Sequence, residues 1–144
     1  MGGANINREQ TEASMTRRFV LVQVMVLLVG SLLLAQGKWE VLGQRNVSDR
    51  ADHDTIAVTR AKGTFKSIRF EVRRHGVDFE RVVVHFANGD DQKIELRATI
   101  PAGGESRVVD LEGKARVIRT IDLWYDAHTL GRGGSATVRV VGRE

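Results

Sequence analysis

The chain has 144 residues, no cysteine and one proline, and its 22 Lys+Arg against 18 Asp+Glu give a formal net charge of +4. Without cysteine, disulfides, thiol chemistry and cysteine-based metal sites are excluded, so a folded domain must hold by burying apolar surface at about 25 cal/mol per Å². The positive excess is mild and scattered, and no aromatic residues interleave with the basic ones, which argues against nucleic acid as a partner.

Residues 1–14 are polar and show no hydrophobic period, as a disordered tail does. Met15 stands where a compact leader would begin and is read as the true start. Arg17 and Arg18 precede a 17-residue apolar run, 19–35, after which Gln36 and Gly37 mark a sharp change of composition. A cationic start, a short apolar core and small residues before the cut describe a secretory signal over 15–37, with Lys38 as the first mature residue. The competing assignment is an uncleaved anchor, which needs about 20 apolar residues, a length the segment only just reaches. Thr16-Arg17-Arg18-Phe19 resembles a twin-arginine signal, but the core is greasier than such signals carry, so the general secretory route is expected. Export places the protein in the periplasm or outside the cell, and membrane contact arises only through 15–37 if that segment is retained.

Setting aside residues 1–37, which hold three arginines and two glutamates, leaves 107 residues with 19 Lys+Arg against 16 Asp+Glu. That is the size of one domain with one core. Period-two alternation dominates it: Ile68, Phe70 and Val72 point one way and Arg69, Glu71 and Arg73 the other, and Ile94 and Leu96 alternate with Lys93, Glu95 and Arg97. Further strands are expected over 39–43, 55–59, 77–86, 107–111, 116–125 and 136–141. Turn chemistry separates them at His75-Gly76, Asn88-Gly89, Gly103-Gly104, Glu112-Gly113 and 131–134. The pattern predicts an all-β fold, a single antiparallel β-sandwich of about eight short strands, preceded by the hydrophobic signal or anchor helix.

Val77 and Phe79 occupy odd positions whereas Val82, Val84 and Phe86 occupy even ones, so a β-bulge is expected near Glu80-Arg81. His75-Gly76 is expected to join 68–74 to 77–86 as the central hairpin. Pro101 should end its strand, since it has no donor for a ladder. Ile121, Leu123 and Tyr125 are assigned to the core, Trp124 with Asp122 to the opposite face, and Trp39 to a lid over the core.

Asp49, Asp52 and Asp54 are the densest carboxylates and could offer oxygen ligands to calcium, although the glycine and distal glutamate of an EF-hand loop are missing. Arg50 lies among them, and the alternative is a solvated or salt-bridged turn. Arg69, Arg73, Arg74, Arg81, Lys93 and Arg97 could line one outward face toward a polyanion, with Glu71, Glu80 and Glu95 interleaved as in an ordinary charge-paired face. Trp124 is the aromatic residue best placed to stack on a sugar or anchor a partner, with Arg69, Arg73 and Arg97 as its expected companions. His53, His75, His85 and His128 lack the spacing of a zinc motif, and neither Ser106 nor Ser135 sits in a nucleophile elbow. No cofactor and no catalytic residue is expected.

Lys38-Trp39-Glu40-Val41-Leu42-Gly43, the segments 52–58 and 65–72, Ile100-Pro101-Ala102-Gly103-Gly104 with Val109-Asp110-Leu111, and the closing 136–142 together resemble a set of short exported bacterial proteins. Those proteins are grouped as a domain of unknown function in which a signal peptide precedes one β-sandwich. The resemblance implies export and a sandwich fold, and it supplies no activity, cofactor or site residue. Some members carry a cysteine pair that this chain lacks. The resulting expectation is a non-enzymatic envelope protein that binds a partner or ligand through loops or a charged sheet face. Its rivals are a glycan- or polyanion-binding module and, behind it, a glycan hydrolase.

Overall fold

The computed structural model describes residues 37–59 and 63–144. The expected tail, the start at Met15 and the apolar run therefore lie outside the described residues. Residues 38–144 gather into one unit. Among the described residues no helix is long and apolar enough to cross a membrane.

Among the described residues the alternation read from the sequence becomes nine strands: β1 Trp39–Ser48, β2 His53–Ala57, β3 Ser67–Arg73, β4 Val77–Phe86, β5 Asp91–Ile94, β6 Ala98–Ile100, β7 Val109–Asp110, β8 Ile118–Asp126 and β9 Ser135–Arg143. A single 3-10 turn of helix, Ala127–Leu130, links the last two. The strands form two antiparallel sheets. Sheet I has the order β1-β9-β3-β7; sheet II has the order β2-β8-β4-β5, with β6 also paired to β4. β5 pairs with residues 82–85 of β4 and β6 with residues 77–79, so together they make one interrupted edge.

The core lies between the sheets. Leu42 and Val47 from β1, Ile68, Phe70 and Val72 from β3, and Ala136, Val138 and Val140 from β9 meet Phe79, Val82, Val84 and Phe86 from β4 and Ile121, Leu123 and Tyr125 from β8. On β3, β8 and β9 these residues alternate with outward ones, as the period of two requires, while β1 and β4 change phase at register shifts between Val41 and Gly43 and between Phe79 and Arg81.

The bulge in β4 is present: Phe79 pairs with Tyr125 and Arg81 with Trp124, leaving Glu80 as the extra residue. β6 ends at Ile100, and Pro101 opens the turn in which Gly104 N–H donates to the Pro101 carbonyl at 2.9 Å.

The expected hairpin is not formed. β3 belongs to sheet I and β4 to sheet II, so His75-Gly76 carries the chain from one sheet to the other. The two strands face each other across the core instead, with the Phe70 and Phe79 ring centroids 6.0 Å apart. Alternation shows which face of a strand is buried but not which strand lies beside it, and a facing pair satisfies it as well as a hairpin does. Trp39 is likewise no core lid. It stands on the outer face of sheet I beneath the guanidinium groups of Arg69 and Arg143, 4.6 and 5.0 Å from the ring centroid.

Polar ties close both open edges of the sandwich. At one, Asp54 of β2 accepts from Arg45 Nε of β1 at 2.8 Å and from the Tyr125 hydroxyl at 2.7 Å. At the other, the buried Gln92 of β5 donates to the Asp110 carbonyl at 3.2 Å and accepts from Glu112 N–H at 2.9 Å. Near the first tie the sheets approach so closely that a Cβ on Gly43 would stand 2.6 Å from the Ala57 carbonyl oxygen and 2.8 Å from Ile56 Cγ2. Backbone cannot yield as a side-chain tip can. Gly43→Ala should therefore destabilise the domain by about 1–3 kcal/mol, read as a lower urea midpoint at unchanged slope.

Candidate functional site

The outward residues of sheet II converge where β4 bulges. Glu80 breaks the pairing with β8 on one side, and on the other Arg97 N–H donates to the Glu80 carbonyl at 3.1 Å while the chain passes from β5 to β6. Arg97 takes a left-handed backbone, φ 36°, to make that passage. The interruption leaves an open groove of about 660 Å³ lined by Asp78, Phe79, Glu80, Arg81, Lys93, Glu95 and Arg97.

Polar groups dominate its walls. Glu95 takes both Lys93 at 3.2 Å and Arg97 at 3.2 Å, and Asp78 accepts from the Thr99 hydroxyl at 3.1 Å. The hydrogen bonds from Lys93 and then Arg97 hold the Glu95 carboxyl below its ordinary range. Arg81 is different. Its Nε is buried with no hydrogen-bond partner among the described residues, and its guanidinium lies over Trp124, 4.3 Å from the ring centroid.

Trp124 lies in a cross-strand row. Its register neighbours are His53 on β2 and Arg81 on β4, and these strands flank β8 on opposite sides. The His53 ring stacks on it at 4.4 Å and 25°. The indole is thus bracketed by an imidazole and a guanidinium, both side chains that can rotate away.

Beside this row lies a second polar cluster. His85 Nδ1 is 2.6 Å from Asp91 of β5, and its Nε2 is 3.0 Å from Asp122 of β8. Two carboxylates can be satisfied at once only if both ring nitrogens carry protons, so the geometry calls for an imidazolium. The His85 pKa is accordingly raised, chiefly by the bond to Asp122, with Asp91 adding to it against the effect of burial. Burial alone would raise the Asp122 carboxyl, but the Thr55 hydroxyl, at 2.6 Å, and His85 outweigh it and leave the group lowered.

The other expected site residues are dispersed. Asp49 accepts from Gly133 N–H at 2.7 Å, Asp52 from Ala127 N–H at 3.2 Å, and Asp54 holds Arg45 and Tyr125. The three share no partner, and no group of three or more His, Asp or Glu side chains among the described residues is arranged to hold a metal ion. Arg69 and Arg73 lie outward on sheet I, whereas Arg81, Lys93, Arg97 and Trp124 belong to sheet II. The expected single basic face is therefore two faces on opposite sides of the sandwich, because the strands carrying its residues are not neighbours. Ser106 is structural: its hydroxyl accepts from Phe70 N–H at 2.9 Å and donates to the Arg107 carbonyl at 2.7 Å. Reading the sequence alone missed the His85 cluster and the His53–Trp124–Arg81 row. Their outward positions were visible, but the register that unites them was not.

A family model described as a domain of unknown function, DUF2541, matches residues 20–142. The chain belongs to the DUF2541 family. No curated protein sequence matches this DUF2541 member. Solved structures with partial likeness include Pseudomonas aeruginosa AlgX, at 13% identity and a TM-score of 0.47, over 73% of this chain and 26% of AlgX. Two others are mutants of the family 29 carbohydrate-binding module CBM29-2. One is complexed with cellulohexaose and the other with mannohexaose, each at 15% identity and a TM-score of 0.38, over 75% of this chain and 92% of the module.

The His85 cluster makes a measurable difference to stability. A group whose pKa is raised on folding stabilises fully below its unfolded value, here 6.5, and that contribution is lost as pH rises through the folded value. The melting temperature should therefore fall as pH climbs from about 6 toward 8. His85→Gln should cost on the order of 1 kcal/mol at the acid end and flatten the profile between the two.

Proposed function

We propose that this DUF2541 protein is an exported, non-enzymatic glycan-binding module that holds a neutral sugar chain in the sheet II groove beside Trp124. The observation that carries this reading is the groove itself: an open trough on rigid strands, with donors and acceptors alternating along it and an indole at its side. Sugar hydroxyls donate and accept, so they are matched by a wall offering both carboxylates and cationic nitrogens.

The charge balance favours a neutral ligand. Asp78, Glu80 and Glu95 oppose Arg81, Lys93 and Arg97, so the lining has no net charge with which to draw a polyanion. Arg81 acts as a movable cover on Trp124. Among the described residues no carboxylate pairs with it, so swinging it aside gives up little beyond the cation–π contact, about 1 kcal/mol. A sugar ring can then take its place on the indole.

Two features support binding without hydrolysis. A glycosidase acid needs a raised pKa, and Glu95, the carboxylate most enclosed by charge, is shifted the other way. The groove is also open to solvent along its length, as suits a chain that is held and released. The apolar run 19–35 supports export.

Titration against neutral oligosaccharides and a sulfated polysaccharide, followed by Trp124 fluorescence in a Trp39→Phe background, tests the reading. Neutral chains should bind and alter the emission, insensitively to salt, and Trp124→Ala, read by calorimetry, should weaken binding at least about tenfold. Binding of the sulfated polymer alone, fading in salt, or binding of no glycan would overturn it; the second result would direct the search to a protein partner.

A further inference from the structure

The outer face of sheet I has a different character. Ala136, Val138 and Val140 of β9 face the core, so Arg139, Val141 and Arg143 face outward. Val141 is nonetheless only 4% exposed. Its register neighbours are Val41 of β1 and Arg69 of β3, and Trp39 stands opposite Arg143. An apolar centre of Trp39, Val41 and Val141 is thus covered by arginine side chains.

Charge on this face is unbalanced. Arg69 reaches Glu71 at 3.6 Å and Glu105 at 3.3 Å, and Arg139 shares Glu71 at 3.8 Å. Arg73 and Arg143 lie on the same side, and among the described residues neither has a carboxylate partner. Asp110 of β7, which accepts from the outward Ser67 hydroxyl at 2.8 Å, is a third carboxylate on this side, so three carboxylates stand against four guanidinium groups, an excess of one where the groove on the other sheet is balanced.

We infer that this face docks on an anionic lipid bilayer. Three observations select that occupant. The face combines an indole with the aliphatic stems and guanidinium groups of the arginines that cover it, and these are the components of an interfacial surface: stems and ring pack at the acyl boundary while guanidinium groups meet phosphates. The excess charge complements an anionic leaflet. Finally, the face begins at Trp39, four residues beyond the end of the apolar run at Ala35, a span of at most about 14 Å of chain. The docking is a property of the face itself, whether or not the run is retained, and it leaves the groove on the opposite sheet open.

The core is drawn from Leu42 to Val140, so residues 37–144 can be tested without the apolar run. This segment is sedimented with vesicles of phosphatidylcholine alone or mixed with phosphatidylglycerol. Partition should rise at least about tenfold with the anionic lipid and collapse in high salt. Arg73→Gln and Arg143→Gln should each cut it roughly fivefold, while Arg119→Gln, on the other sheet, should not. Trp39 emission in a Trp124→Phe background should shift to the blue on binding. Equal partition into both vesicle types, no partition, or equal loss with Arg119→Gln would overturn the inference. A glycan result of either sign leaves it untouched, since no groove residue takes part.

Discussion

A single apolar layer between two sheets holds this domain together, with no covalent staple to assist it. Phe65, Phe70, Phe79, Phe86 and Tyr125 are its largest members, each at most 1% exposed. Such a layer excludes water only while its edges stay shut. The edges are where backbone donors and polar side chains must also be satisfied. Asp54 at one edge and Gln92 at the other answer both needs: Asp54 holds Arg45 of the opposing sheet and the Tyr125 hydroxyl of its own, and Gln92 ties β5 to the opposing sheet by two hydrogen bonds. Burial and then Asp54 push the Tyr125 phenol far above its ordinary pKa, so it remains a donor at any physiological pH.

This explains why the densest acidic segment of the sequence lies in the architecture. Asp49 and Asp52 secure backbone N–H groups of the chain following β8, and Asp54 fastens the sheet edge. Three carboxylates in six residues suggest a ligand set when read in one dimension. In three dimensions they fan out to four separate donors, two backbone N–H groups, the Arg45 guanidinium and the Tyr125 hydroxyl.

The period of two made the faces legible, and with them the fold class. Ile121, Leu123 and Tyr125 are buried and Trp124 is turned outward, as alternation alone required. The phase slip between Phe79 and Val82 located the bulge, because a slip has no other resolution within one strand. Partners were not legible. Pairing of β3 with β9, 60 or more residues later, depends on which strands the closed core brings together, and local pattern holds no record of that. The same limit applied to the groove. Glu80 and Arg97 were each visible as outward residues, but their meeting at a broken ladder arises from the register of β4 against β5 and β6. The arginines divided between two faces for the same reason.

Once the inner faces are committed to the core, the outer faces are independent surfaces, and they have diverged. Sheet II sets cations against carboxylates one for one and adds a hydrogen-bonded imidazolium between two strands, which fixes the positions of the groove walls at little net field. Sheet I carries an excess of guanidinium over a greasy centre. The first arrangement suits short-range recognition by hydrogen bonds, which requires placement more than charge. The second suits attraction to an extended charged surface, which requires charge more than placement. One tryptophan stands on each face beneath a guanidinium, so the same pairing is put to two uses. Beside the balanced groove, moving the arginine exposes a stacking platform; on the basic face, the arginine and the indole can engage one boundary together, each at its own depth.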